Sequence, residues 1–172
     1  MLKITGAILL VLGTTGVGIS FASDMKKRLY HIRYLYHIFS LLLSEIGYAK
    51  ASIEEACRTV SDKVQRPYRQ FLEQIYEKMK ANTGEAFAEL WKHAMQAHLS
   101  ELPLKKADWK ILEEFADYTG YMDINLQKQV ITYKLQDLEK LILQIEEETA
   151  KQSKLYLTLG FMSGVFLTIV LL

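Results

Sequence analysis

The chain has 172 residues, of which 21 are Lys or Arg and 20 are Asp or Glu, so its formal net charge at pH 7 is only +1. This even balance leaves no basic surface of the size that nucleic-acid binding requires, and we predict no nucleic-acid partner. The single cysteine, Cys57, excludes an internal disulfide, and we expect it to be a packed thiol in a reducing compartment.

Both ends of the chain are apolar. Residues 4–22 and 155–172 contain no Asp, Glu, Lys, Arg or His. As helices these runs would be about 27–29 Å long, which is close to the hydrocarbon thickness of a bilayer. We therefore predict transmembrane helices at residues 1–23 and 155–172, with a helical bundle domain at residues 24–154 between them.

Basic residues mark the inner edges of both apolar runs. Lys26, Lys27 and Arg28 follow the first run, and Lys151 and Lys154 precede the second. Basic residues next to a span stay on the cytoplasmic side. The bundle domain is therefore predicted to be cytoplasmic, with the lipid bilayer as a partner and both termini across the membrane.

A cleaved signal peptide is the alternative for the first run. Lys3, the apolar stretch and the small residues around Ala22 resemble a secretory signal with its cleavage site. The protein would then be an exported helical interaction module with a C-terminal membrane anchor. After cleavage, the basic cluster of Lys26, Lys27 and Arg28 would be the first segment to cross the membrane. Because basic residues next to a span stay on the cytoplasmic side, we favour an uncleaved span.

Apolar residues recur at helical spacing through the central region, and no stretch alternates with a period of two. We predict an all-α, antiparallel bundle of about six helices, whose first and last helices continue into the terminal spans. The first helix should end near residues 49–51. Its buried stripe is predicted to be Leu29, Ile32, Leu35, Ile38, Phe39, Leu42 and Ile46. Ser52 and Glu55 have the spacing of a capping box, which predicts a second helix as far as about Val64.

Three further helices follow in the sequence. Pro67 suits the first turn of the third helix, and Asn82 or Thr83 is predicted to cap the fourth. The fifth should run over residues 106–118, with Gly120 as its C-cap. The predicted buried faces are Phe71, Leu72, Ile75, Tyr76 and Met79, then Phe87, Leu90, Trp91, Ala94, Met95 and Leu99, then Trp109, Leu112 and Phe115.

The last helix is predicted to begin at an Asp123 cap and to continue without a break to the end of the chain. Its apolar residues are spaced 4, 3, 4 and 3 apart, which is typical of a seam that packs lengthwise against another helix. These residues are Ile131, Leu135, Leu138, Ile142 and Ile145. The first helix, running antiparallel, is the predicted partner.

The sequence offers little catalytic chemistry. It has no glycine-rich phosphate loop and no His-Glu-x-x-His motif. The acidic pairs Glu54/Glu55 and Glu113/Glu114 are more typical of solvated helix faces, or of docking a basic partner, than of metal ligands. We therefore predict no enzyme activity, no cofactor and no metal, and a metal-dependent enzyme is the less favoured hypothesis.

Gly160 and Gly164 form a Gly-x-x-x-Gly pattern in the second apolar run. Small residues four apart let two helices approach closely within lipid. The pattern indicates packing between spans, either within one chain or in a homo-oligomer.

Several segments together resemble a known family. Glu45-Ile-Gly-Tyr48, followed by Glu54-Glu-Ala56, resembles the Glu-Ile-x-Tyr signature of the stage III sporulation protein AB family. Residues 108–112, 120–123 and 156–164 are similar to the later blocks of that family, in the same order. The resemblance extends over essentially the whole chain.

The resemblance implies a protein needed for making endospores. Such proteins belong to a channel-like complex between mother cell and forespore, which would place this chain in the mother-cell membrane around the forespore. Their domain is similar to the F-domain of the inner-membrane platforms of type II secretion and type IV pili. Those platforms have no enzyme activity and receive an ATPase on the cytoplasmic side. The implied partners are therefore the other channel subunits, including the ATPase. The resemblance identifies three residues as members of the family's motifs, without assigning them roles: Glu45, Tyr48 and Asp123.

Overall fold

A computed structural model describes residues 2–82, 84–119 and 123–171 of the chain. Those residues form six α-helices and no strand, which confirms the predicted all-helical class. A π-helical turn, Glu45–Ala49, directly continues the first helix. The helices are α1 (Leu2–Ser44), α2 (Ile53–Ser61), α3 (Tyr68–Lys80), α4 (Phe87–His98), α5 (Lys106–Thr119) and α6 (Ile124–Leu171).

The chain divides into two compact units. The central unit is His31–Leu141, and the terminal unit combines the residues up to Tyr30 with those from Ile142 onward. The borders predicted for the bundle domain, at residues 24 and 154, stay a prediction.

The core of the central unit is built around an aromatic cluster. Trp91 of α4 contacts the rings of four phenylalanines at centroid distances between 4.6 and 6.1 Å. These are Phe39, Phe71, Phe87 and Phe115. The indole Nε1–H donates a hydrogen bond of 2.9 Å to the carbonyl oxygen of Leu112, so the polar group of this buried ring has a hydrogen-bond partner.

The predicted helix faces are largely confirmed. The residues predicted to be buried on the first helix are buried from Ile32 through Ile46, and so are all six predicted for the fourth helix. Leu29, also predicted for the first helix, is half-buried. Tyr76, Met79 and Trp109 are only half-buried, because each lies at the flank of its helix's apolar face.

The capping box at the start of α2 is present as predicted. The Glu55 N–H donates to Ser52 Oγ at 3.2 Å, and the Ser52 N–H donates to Glu55 Oε2 at 3.1 Å. Two amide donors at the helix terminus are therefore satisfied by side chains.

We expect Ser52→Ala to lower the free energy of unfolding by about 1 kcal/mol, because the Glu55 amide loses its acceptor. Chemical denaturation of the full chain measures this loss. Ser52→Asp keeps an acceptor at the cap and should retain most of the stability. Equal losses in the two variants would contradict a capping role.

The predicted N-cap of α4 is wrong. Asn82 adopts a left-handed conformation with φ of 47° and ends α3, its N–H donating to the Met79 carbonyl at 3.0 Å. Asparagine tolerates this conformation better than most residues, so it stops a helix here instead of starting one. The helix α4 begins five residues later, at Phe87, after Ala86, which offers no side-chain cap. Thr83 lies outside the described residues.

An aspartate lies at the start of each of the last two helices, in the first turn of α5 and directly before α6. In α5, Asp108 Oδ2 accepts a hydrogen bond of 2.8 Å from the Lys105 N–H. Asp123 directly precedes α6, as predicted, and its carbonyl accepts the Gln127 N–H at 2.9 Å. The predicted C-cap, Gly120, lies outside the described residues.

A buried lysine joins α5 to α6. The Lys134 side chain is buried, and its Nζ lies 2.9 Å from Glu114 Oε2 and 3.7 Å from Asp137 Oδ2. The hydrogen bond and the positive charge of Lys134 together lower the pKa of Glu114. The same face of α6 buries Ile131 and Leu138 of the predicted seam.

In the terminal unit, α1 and α6 pack antiparallel. The rings of Phe21 and Tyr156 stack with centroids 5.5 Å apart, and the Arg28 guanidinium lies 4.0 Å from the Glu148 carboxylate. From Phe21 to Arg28 the chain advances seven residues along α1, while from Tyr156 to Glu148, their respective partners, it goes back eight residues along α6. This order agrees with the predicted pairing of the two long helices.

The terminal unit exposes many large apolar side chains. On α1 these are Leu9, Leu12, Val17, Ile19 and Phe21, and on α6 they are Leu155, Leu159, Phe161, Met162, Val165, Phe166, Leu167 and Ile169. Across the described residues, no helix has a stretch long and apolar enough to cross a membrane. The spans predicted at residues 1–23 and 155–172 are therefore not supported by the structure.

Candidate functional site: a partner-binding surface

Two histidines of the central unit form hydrogen bonds with other side chains. His31 Nδ1 lies 2.8 Å from the Tyr68 hydroxyl oxygen, and His98 Nε2 lies 2.6 Å from Gln74 Oε1. Burial lowers the pKa of His31. Among the described residues, no group of three His, Cys, Asp or Glu side chains is placed to hold a metal ion.

Cys57 and the adjacent glutamates are part of the packing of α2. The Cys57 thiol is fully buried, and desolvation, followed by the charge of Glu54, raises its pKa to about 12. Because this raised pKa and the burial keep the Cys57 thiol protonated and inaccessible, a nucleophilic role is unfavourable for it. Glu54, predicted as a docking residue, is half-buried, and Glu55 is engaged in the capping box.

The π-helical turn after α1 is held from both sides. Lys50 adopts a left-handed conformation with φ of 58°, and its N–H donates to the carbonyl oxygen of Glu45. The Glu45 carboxylate contacts Lys63 Nζ at 2.6 Å, which ties the turn to the segment after α2. Turns of this kind are frequent at functional sites.

This anchored turn places Tyr48 on the surface. The Tyr48 side chain is 90% exposed, more than any other exposed large apolar side chain in the described part of the chain. Tyrosine is among the residue types enriched at the energetic centres of protein interfaces. Glu45 and Tyr48, both predicted motif residues, thus lie in one turn, the first as its anchor and the second as its exposed group.

The turn adjoins an open face of α6. A Cβ placed on Gly47 would lie 3.5 Å from Lys128 Cε, so the lysine stem packs against the turn. Lys128 also lines an open groove of about 600 Å³ along α6. The other described lining residues are Asn125, Gln129, Thr132, Tyr133 and Gln136. We call Tyr48 and Lys50, together with these described groove residues, the Tyr48 surface.

Sequence reasoning missed the contribution of α6 to this surface. The polar groove residues recur at helical spacing, which identifies a shared face but not its neighbour. The approach of Lys128 to Gly47, residues far apart in the sequence, joins that face to the turn that carries Tyr48. Asp123, the third motif residue, is exposed at the start of α6.

Gly160 and Gly164 belong to the terminal unit. Gly160 lines an apolar groove of about 360 Å³ between α1 and α6, together with Phe21 and Tyr156. Gly164 is buried, and its carbonyl accepts a hydrogen bond of 2.8 Å from Thr168 Oγ1. Small residues therefore lie where the two helices pack within the chain, while the predicted homo-oligomer stays a prediction.

The described helices define an all-helical protein with a long helix at each end of the chain and four short ones between them. The family model for stage III sporulation protein AB matches residues 3–172, and the chain belongs to this family. It is 26% identical to stage III sporulation protein AB of Bacillus subtilis (strain 168) over 172 residues, covering all of both chains.

A solved structure of a stage III sporulation protein AB has a similar fold. The TM-score is 0.64 at 20% sequence identity, and the match covers 72% of this chain and 97% of the other. Family membership makes the chain a sporulation protein, and proteins of this family act together with other proteins.

Proposed function

We propose that the chain is a non-enzymatic platform subunit of the sporulation channel complex between mother cell and forespore. It sits in the mother-cell membrane around the forespore, with the central unit on the cytoplasmic side, and docks a cytoplasmic ATPase. Family membership supports the role in sporulation. The exposed apolar surface of the terminal unit is the observation that carries the membrane part of the proposal.

Two features of the terminal unit support membrane insertion. Large contiguous apolar surfaces are rare on soluble monomers and mark contact with lipid or with other proteins. Residues 4–22 and 155–172 carry no charged side chain, and Lys26 and Lys154 lie beyond their inner ends. This distribution is the one expected for two spans whose central loop stays cytoplasmic.

Thiol labelling in intact cells tests the topology. Replacing Cys57 with Ser and Gln96 with Cys leaves one exposed thiol, on α4 of the central unit. We expect a membrane-impermeant maleimide to label it only after the cells are permeabilised. Labelling of intact cells, together with a mature N terminus near residue 23, would instead establish the exported alternative with a cleaved signal peptide.

Co-purification tests the docking of the ATPase. The full chain, extracted from sporulating cells in mild detergent, should retain both the channel subunits and the ATPase. If the channel subunits are retained and the folded ATPase is not, the docking part of the proposal is wrong while the platform part survives. Loss of every sporulation protein would contradict both parts.

A further inference from the structure

We propose that the Tyr48 surface binds an acidic segment of a partner protein, one that presents several Asp or Glu carboxylates. The inference deepens the proposed platform function, on which it rests, by assigning a docking surface and the chemistry of its partner. It stands on three properties of this surface, namely unpaired cations, a polar groove and exposed aromatic rings.

The first property is unpaired positive charge. Lys50 and Lys128 form no ion pair within the described part of the chain. Lys50 lies two residues after Tyr48, and Lys128 packs against the preceding residue, Gly47. Glu45, in the same turn as Tyr48, contacts Lys63 instead, and Glu55, five residues beyond Lys50, caps α2. Two cations that no described carboxylate pairs with attract a carboxylate-bearing partner and select its orientation.

The second property is the chemistry of the groove on α6. Asn125, Gln129 and Gln136 supply side-chain amide groups along one face, and amide N–H groups donate readily to carboxylate oxygens. From residue 125 to residue 136 the face is about 16 Å long at the rise of an α-helix. That length accommodates about five residues of an extended segment.

The third property is the pair of exposed rings. Tyr48 is 90% exposed and Tyr133 is 62% exposed, and Tyr133 lines the groove beside Lys128. Such rings contribute large contact areas at little cost in conformational entropy, which is why they are common at protein interfaces. Two aromatic groups around two lysines provide both contact area and charge recognition.

Site-specific photocrosslinking of the full chain tests the inference in sporulating cells. p-Benzoylphenylalanine replaces Gln129 inside the surface or, as a matched control, Gln96 on α4, which is also exposed. We expect the Gln129 probe, and not the Gln96 probe, to crosslink to a partner segment that mass spectrometry shows to contain several Asp or Glu residues.

Charge reversal then tests the recognition itself. Lys50→Glu with Lys128→Glu should lower the crosslink yield about tenfold, since two attractive contacts become repulsive. The matched reversal of Lys78 and Lys106, exposed lysines on α3 and α5, should leave the yield within about twofold. Changing two carboxylates of the mapped segment to lysines should restore crosslinking to the reversed variant.

Four outcomes would overturn the inference. They are crosslinks to phospholipid, crosslinks to a second copy of this chain, crosslinks to a segment without Asp or Glu, and no crosslink from the Gln129 probe. Unchanged helicity by circular dichroism shows that the variants are folded. If the channel subunits still co-purify with the chain in these cases, the platform proposal stands and only the assignment of this surface fails.

Discussion

Trp91→Ala should lower the free energy of unfolding by about 3–5 kcal/mol, the range for removing a large aromatic side chain from a packed core. Trp91 is buried against Phe39, Phe71 and Phe115, three rings from three different helices. Deleting it opens a cavity at the point where α1, α3, α4 and α5 meet, and it removes the hydrogen bond that the indole donates to the Leu112 carbonyl.

Urea denaturation of the full chain in detergent, followed by tryptophan fluorescence, measures the effect. The chain has two tryptophans, so Trp109 on α5 remains as the reporter in the Trp91→Ala variant. Trp109→Ala is the matched control, because this ring is only half-buried, and it should cost less than about half as much. Equal losses in the two variants would show that the cluster around Trp91 is not the centre of the core.

The Cys57 thiol should be alkylated about a thousandfold more slowly in the folded protein than in the unfolded chain. Its pKa is raised from 9.0 to about 12, so at pH 8 only about one thiol in ten thousand is a thiolate, against about one in ten when unfolded. Only the thiolate reacts with iodoacetamide, and full burial slows the reaction further. Mass spectrometry over a time course gives both rates.

Gln96→Cys in a Cys57→Ser background supplies the exposed reference thiol for this comparison. It should react at nearly the same rate in the folded and in the unfolded chain, because Gln96 is exposed on α4. If native Cys57 reacted as fast as this reference thiol, then α2 would not be packed as described. A rate that rises with urea well before global unfolding would indicate that α2 opens locally.

Local patterns in the sequence predicted the parts of the fold that depend on local interactions. The face of α4 follows from the recurrence of apolar residues at Phe87, Leu90, Trp91, Ala94 and Met95, which places them on one side of any helix. The capping box at Ser52 involves residues only three apart. Both features depend on helix geometry and not on which helices pack together.

The errors occur where the backbone leaves regular geometry. Asparagine is a residue type that often caps the N terminus of a helix, but the backbone of Asn82 adopts the left-handed conformation, which asparagine also tolerates. The turn at Glu45–Ala49 continues α1 with π-helical geometry, and the apolar stripe, which continues through Ile46, does not reveal this change.

The candidate site was only partly predictable for a related reason. Glu45 and Tyr48 were identified from the family resemblance and not from their own chemistry. Glu45 contacts Lys63, which lies 18 residues further along the chain. The turn that carries Tyr48 packs against Lys128, which lies on α6. Contacts of this kind follow from tertiary packing, which a single sequence does not specify.

The division of the chain also decides where a reporter can be attached. The first and the last described residues both belong to the terminal unit, so a fluorescent tag at either extremity reports on that unit alone. A sensor for the central unit has to be inserted internally. The connections after α3 and after α4 are suitable, because Gly84 and Ser100 are exposed and lie outside the helices.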